Sequence, residues 1–594
     1  MGSAANLFHT CMSAILKPLV KAGIHGIKIK SGGGTICRGH PIFAMYIGDY
    51  PEQLLVTCCK NGTCPKCNVP SSELGDVSAP DRPLRDLDKV LTALDEVGNT
   101  ATAFSKACRE AGIKPISHPF WTGLPYVNIF LSITPDILHQ IHQGVIKHVL
   151  GWLKQAYGAE ELDARCRRLP PNHQICLFLR GITMLQRVTG KEHAHMCRFL
   201  LGLIVGLPLH SGFSPVRLVR AVRALLDFSY LAQYPAHMSD TLEQLRGALQ
   251  RFHANKAIFV DLDICDHFHI PKLHSFDHYL NSIKVFGTTD NYDTQYTERL
   301  HIDFAKEAYR ATNHKDEFPQ MTLWLERREK ISRHAAYIQW RSDQRDSHNF
   351  VSLLTRIQLA KWPTIKVLRF DTAIKNYGVT SLRDAVARFI IKYRSPHLTP
   401  HQVEREIRSF IPRFNTLAVF HRVKFILEDA QRLGIMDGIR DVAHARPERK
   451  DTHGRKVPAR FDTVLVNDGT GESIGVKGYR VGRLRLIFKL PKSACEHHLP
   501  NVITPGHLAY VEWFTPFSQP DRIHSMYKVS GSVNARGEPL AEVIEVRNIR
   551  RSCHLTPICS TQMPRDWTSS NILDSCKHFW VNPFSDLHMY MTLV

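Results

Sequence analysis

A carboxylate and a pair of thiols lie close together in residues 40–70, HPIFAMYIGDYPEQLLVTCCKNGTCPKCNVP, and this stretch most limits what the chain can fold into. Ile42, Phe43, Ala44, Met45, Tyr46 and Ile47 run without a charge between Pro41 and Gly48, the pattern of a buried β-strand. Asp49 then falls at the rim of the expected sheet. A second short strand is expected over residues 54–59, leading into Cys64-Pro-Lys-Cys67. Two thiolates at that spacing supply half of a tetrahedral zinc site. A redox or incidental pair is the competing reading, which the adjacent Cys58 and Cys59 leave open.

No second C-x-x-C occurs, so the other zinc ligands must come from a distant segment. His139 and His142, i and i+3 at the start of an expected helix, are the favoured donors; Cys58, Cys59, His118 and His148 compete. His274 and His278, i and i+4, read as core or hydrogen-bonded histidines. Asp49 and Glu298 are distant in sequence, yet two such carboxylates can share a divalent metal for phosphodiester chemistry. The plainer reading of Asp49 is a turn cap.

An amphipathic helix is expected over residues 4–23, with Leu7, Cys11, Ile15 and Leu19 as its stripe and Gly23 as its stop. A turn at Ser31-Gly-Gly-Gly34 follows. Helical periodicity dominates residues 87–260: Ile137, Ile141, Val145, Val149 and Trp152 share a face, as do Leu242, Leu245, Leu249 and Phe252. Asp293 or Thr294 can cap a helix with Tyr296, Leu300, Phe304 and Ala308 as its stripe. Arg299, Lys306 and Arg310 share its other side, a candidate DNA-contacting face or a solvated one. Residues 320–340 and 350–438 also read as helical, and residues 440–460 as a basic, turn-rich linker. Period-two alternation through Leu484, Leu486, Phe488 and Leu490 opens a β-rich tail.

Lys and Arg number 76 against 55 Asp and Glu, a net charge of +21, which favours a polyanionic partner, most simply nucleic acid. Residues 1–48 contain no Asp or Glu. The 15 irregularly spaced cysteines argue against a disulfide framework, and no apolar run is long enough to span a bilayer.

The runs GDYPEQ, GTCPKCNVP, ITPDILHQIHQGVIKHVLGWL and HFHIPKLHSFDHYLNSIKVFGTTDNYDTQYTERLHIDFAKEAYRATNHKDE occur in this order. With LAYVEWFTPF in the tail, they resemble the Plavaka family of DNA transposases, relatives of the CACTA group. The resemblance implies a ribonuclease H-like DDE nuclease: a βαβ core interrupted by a helical insertion, with three carboxylates binding two Mg²⁺ or Mn²⁺. It makes Asp49 the second carboxylate and Glu298 the third. It assigns Cys64, Cys67 and His139 to the metal-binding elements of the insertion, whereas His142 rests on spacing alone. The first aspartate belongs on a strand upstream of the opening helix, and residues 1–48 hold no substitute. The core is therefore expected to be N-terminally truncated and catalytically dead as written.

The fold expected is α/β, an incomplete ribonuclease H-like core with a large α-helical insertion, plus a C-terminal small antiparallel β-barrel or sandwich. The expected divisions are 1–70 for the partial core, 71–285 for the insertion with its zinc site and 286–345 for the helix carrying the third carboxylate. A helical region at 346–438, the linker at 439–460 and the β-rich module at 461–594 follow. The function expected is a nuclear, DNA-acting transposase or transposase derivative that associates with itself or with a full-length transposase. The alternative is a non-catalytic DNA-binding or oligomerising remnant, or a degraded element with no selected role.

Overall fold

The opening helix forms over Gly2–His25, and its inward face is set by one residue's offset from the expected stripe. Ala5, Phe8, Met12 and Leu16 pack on the core, while Leu7 and Ile15 face solvent. Gly26, at φ 70°, ends it three residues beyond the expected stop, where a left-handed residue favours glycine. An antiparallel hairpin of Ile27–Lys30 and Ile36–Gly39 follows. The computed structural model describes residues 2–77, 82–209, 212–345, 357–427, 430–431, 439–472, 474–559 and 561–594.

The chain divides into two units: Met1–Trp152 with Asp227–Phe350, and Leu153–Leu226 with Val351–Val594. In the first, the run 42–47 does not form the expected strand. Only Tyr46 pairs, in a parallel bridge to Ile133. Phe43 and Tyr46 pack on the core, and Ile42 stays exposed. The second expected strand is a helix, Tyr50–Val56. Asp49 caps it by accepting from the Glu52 amide at 2.9 Å, and Pro51 occupies its first turn. Val56, Cys59, Cys108, Ile113, Phe120, Trp121, Ile129 and Phe130 fill this unit's core.

The helical expectation for this unit holds elsewhere. Ile137, Ile141, Val145, Val149 and Trp152 are buried along Ile137–Ile146 and the following Lys147–Tyr157. Leu245 and Phe252 are buried on Ser239–Asn255. The stripe on the helix from Thr294 fails: Ala308 is buried, but Tyr296 and Phe304 are exposed. Glu317–Arg345 is a long helix, as the charge-dense pattern suggested.

The second unit is mixed helix and antiparallel sheet, and no barrel closes among its described residues. Its largest sheet has seven strands. Ala541–Glu545, Leu508–Trp513, Tyr479–Lys489, Thr463–Asn467 and Ile549–Ser552 are neighbours in that order. Thr416–Phe420 joins the end of Tyr479–Lys489 and pairs in turn with Ile365–Arg369. A four-stranded sheet orders Arg460–Phe461, Ile439–Arg446, Arg422–Leu427 and Ile357–Gln358. A three-stranded one orders Tyr527–Ser530, His578–Val581 and Leu555–Pro557.

Two expectations give way here. The region 346–438 is not all helix: strands at Ile365–Arg369, Thr416–Phe420 and Arg422–Leu427 flank its three helices, and residues 346–356 lie outside the described residues. Residues 439–460 are not a linker, because Ile439–Arg446 is a central strand. Its inward positions are Asp441, Ala443 and Ala445, all fully buried. Small and charged residues on the core side hide the alternation that marks a strand.

Candidate metal centre

After Tyr50–Val56 the chain turns through Cys58, at φ 58°, and Gly62, at φ 77°, and delivers Cys64-Pro-Lys-Cys67 beneath the helix it has just left. The Tyr50 hydroxyl donates to the Thr63 carbonyl at 2.9 Å and accepts from the Gly62 amide at 3.1 Å, which pins this loop. Arg85 Nε donates to the Cys64 carbonyl at 2.8 Å, and buried Lys66 donates through Nζ to the Leu131 and Ile133 carbonyls. The thiols are therefore held by satisfied backbone on both sides.

Opposite them lies the helical run Pro271–His274, Ser275–His278 and Tyr279–Phe286, with proline in its first turn. Leu273, Phe276 and Tyr279 face the interior, and Phe276 stacks on Phe228 at 4.6 Å between centroids. That packing aims His274 and His278 at the thiols. Cys67 Sγ is 3.1 Å from His274 Nε2, and Cys64 Sγ is 3.3 Å from His278 Nε2. All four ligand atoms lie within 4.8 Å of one another.

This donor set fits a tetrahedral ion. Zn–S bonds of about 2.3 Å and Zn–N bonds of about 2.0–2.1 Å set sulfur–nitrogen edges of roughly 3.5 Å, so a small expansion admits the metal. The amides of Lys66 and Cys67 approach Cys64 Sγ at 3.3 and 3.4 Å, and such N–H groups stabilise a thiolate. Asp277 Oδ2 lies 3.3 Å from His274 Nδ1, where an outer carboxylate orients a ligating imidazole. A metal such as zinc is what these four residues can hold.

The electrostatics agree. The Cys67 thiol is pulled far below its usual range by the hydrogen bond from Cys64 and then by His274 and His278. Burial, and then the neighbouring Cys67 sulfur, push Cys64 up. Burial opposes charge on His274, but its contacts with Asp277 and Cys67 outweigh this and hold it up to about 9. A divalent ion held here would favour the deprotonated thiolates and neutral imidazoles.

His139 and His142 are not brought to the thiols. Asp136 caps Ile137–Ile146, accepting from the His139 amide at 2.7 Å and, through the same oxygen, pairing with His139 Nδ1 at 2.7 Å. Its other oxygen accepts from the Thr294 hydroxyl at 2.6 Å. The free edge of His139 then meets Glu298: Nε2 is 3.0 Å from Oε1. Burial works against the charged imidazole, yet Asp136, then Glu298 and Asp49, raise its pKa above the ordinary value. Asp49 also acts on Lys272, whose pKa burial lowers. Glu298 thus pairs with His139 directly, and Asp49, 249 residues before it in sequence, adds its field to the same imidazole. Both helices carrying this cluster contain π-helical turns, Ile137–Ile146 and His301–Lys306, a geometry frequent at functional sites. Arg299, Lys306 and Arg310 are exposed on the helical run that begins at Thr294.

His274 and His278, read from sequence as core or hydrogen-bonded histidines, are instead the pair that joins the thiols, and their His-x₃-His spacing is itself a common zinc-ligand spacing. The Asp136-x-x-His139 pairing was equally readable as an N-cap that also grips its own helix's third residue.

Residues 2–153 match the family described as Plavaka transposase, and residues 330–531 match a family described as a domain of unknown function, DUF6830. No curated protein matches the chain. Asp49, Cys64, Cys67 and His139 fall inside the first match, and His274, His278 and Glu298 outside both. Over residues 2–153, then, the chain is similar to the Plavaka transposase family.

Proposed function

We propose that this chain is a transposase-derived protein that binds DNA in the nucleus, with zinc on Cys64, Cys67, His274 and His278 as a structural pin. Asp49 and Glu298 are then the metal-facing carboxylates of a DDE-type site that does not cut DNA by itself. The family match supports the ancestry, and the pairing of Glu298 with His139, an imidazole that also feels the field of Asp49, is the observation that carries the site.

Two-metal phosphodiester chemistry requires carboxylates that hold both ions about 3.5–4 Å apart. The neighbouring acids here are already engaged. Both oxygens of Asp136 are taken by Thr294, His139 and helix amides. Glu52 accepts from the Tyr46 hydroxyl at 2.7 Å, and Asp293 caps the helix at Thr294 through the Gln295 amide. Asp49 and Glu298 with one histidine make an incomplete set, so cleavage depends on association with a competent transposase.

Supercoiled DNA incubated with the purified chain and Mg²⁺ or Mn²⁺ is expected to stay uncut, and Asp49→Ala to behave identically. Metal-dependent nicking by the wild type that vanishes in Asp49→Ala and in Glu298→Ala would show an active nuclease and sink the non-cutting reading.

A further inference from the structure

The hairpin Ile27–Lys30 and Ile36–Gly39 stands as a two-stranded sheet with no third strand among the described residues. Register places Lys28 opposite Arg38 and Lys30 opposite Ile36. One face therefore carries Lys28, Lys30 and Arg38 around Ile36. The other carries Ile27, Ile29 and Cys37, with Gly39 giving Ile29 the room a side chain would take. Every strand residue but Gly39 is exposed.

Its base is fixed and its tip is free. Gly26 turns the chain out of the opening helix, and His40 Nδ1 meets the Gly23 carbonyl at 2.9 Å where the second strand returns. The Ser31-Gly32-Gly33-Gly34-Thr35 turn is wholly exposed. Lys17 and Lys21 add exposed charge at helical spacing just before the hairpin. No acidic residue occurs in residues 1–48, and none of Lys17, Lys21, Lys28, Lys30 or Arg38 makes an ion pair among the described residues. An isolated two-stranded hairpin gains little stability of its own. Unneutralised cations on such an element point to a polyanion as its partner.

We propose that this hairpin is a docking ribbon that enters the major groove of duplex DNA, with Lys28, Lys30 and Arg38 on the phosphates that border it. The major groove, about 12 Å wide, admits a two-stranded β-ribbon, and strands spaced about 4.7–4.9 Å fit within it. The proposal rests on the DNA-binding reading above and adds the element and the form of DNA it takes. It is separate from Arg299, Lys306 and Arg310, which lie on a different helix.

The test uses the full chain and a duplex of about 30 base pairs, with binding followed by fluorescence anisotropy from about 50 to 200 mM salt. Lys28→Ala/Lys30→Ala/Arg38→Ala is compared with a control that removes the exposed Lys424, Lys477 and Lys528. Losing three phosphate contacts is expected to reduce the log–log salt slope by about 2.7 and weaken duplex binding by roughly tenfold or more at the lower salt. The control should leave both unchanged, and a single strand of equal length should lose less. All variants carry only surface changes and should share the wild-type thermal midpoint. Unchanged duplex binding in the hairpin variant overturns this proposal and leaves DNA binding standing. An equal loss in the control, or on single strands, overturns the groove assignment. No DNA binding by the wild type overturns the broader reading and this one with it.

Discussion

Cys64→Ser/Cys67→Ser is expected to abolish zinc binding and loosen the first unit. The wild type, purified under reducing conditions, should carry one equivalent by metal analysis, and the double variant none. All cysteines in the chain are free, so no disulfide competes for these sulfurs. Structural zinc contributes apparent free energies of about 10–16 kcal/mol in zinc-finger peptides, comparable with the whole stability of a domain. Here an independent apolar core built on Phe120, Trp121 and Phe130 limits the damage. Hydrogen exchange should accelerate in the loop around Cys64 and in the helical run from Pro271 to Phe286, and stay unchanged in the sheets of the second unit. His274→Ala and His278→Ala should each weaken zinc sharply, whereas His139→Ala and His142→Ala should retain it. Cys64 and His274 must release protons to bind, so affinity should fall as pH is lowered. A zinc-free wild type, or zinc lost through His139→Ala alone, would refute this ligand set.

Asp586→Ala should cost the second unit about 3–5 kcal/mol, measured by denaturant unfolding. Arg551 is completely buried. Its guanidinium pairs with Asp586, meets His588 Nδ1 at 2.7 Å, and donates through Nε to the Ser552 carbonyl at 3.1 Å. Asp441 lies close enough to add its field, and takes the Ser552 amide and hydroxyl at 2.6 and 2.8 Å. Removing Asp586 strands a buried cation and also uncaps Leu587–Leu593, whose Met589 amide it accepts at 2.9 Å. Arg551→Met/Asp586→Leu removes both charges and should recover much of the loss. Burial alone would raise the Asp586 pKa, but Arg551 reverses this and depresses it. The sign follows. The pair's stabilisation is present above the unfolded carboxyl value, about 3.9, and is lost as pH falls through the lower folded value. A loss below about 1 kcal/mol in Asp586→Ala would mean that water reaches Arg551.

The same strand shows why part of the fold was illegible. Ile439–Arg446 looked like a linker because its outward residues include Arg440, His444 and Arg446 and its inward ones are Asp441, Ala443 and Ala445. A buried carboxylate answering a buried arginine 110 residues away leaves no local pattern. Elements whose cause is local were readable: the opening helix, the glycine-rich hairpin turn, and the buried face from Ile137 to Trp152. Tyr50–Val56 was a misreading that local rules could have prevented, since Asp49, Pro51 and Glu52 form a helix start. The apolar run before it drew attention to strand. For the site, the Cys64–Cys67 pair was accessible from residue type, and Asp49 and Glu298 were singled out by resemblance. The partners of each were not, because His274 and His139 stand at similar spacings and only tertiary packing separates their fates.

The candidate metal cluster joins residues 207 apart, Cys67 and His274, and this shapes how the chain must be made. Closing so long a loop costs roughly 4–5 kcal/mol of chain entropy. That cost is met only after the intervening residues, including Leu153–Leu226 of the other unit, have been synthesised. During translation the two thiols emerge early and wait, exposed to oxidants and stray metals, until the histidines follow. Length changes in the intervening segment should be forgiven, since the closure term grows only with the logarithm of length. A break at the chain's first exit from this unit, after Trp152, would strand the sulfurs without their nitrogens and leave both pieces prone to aggregation.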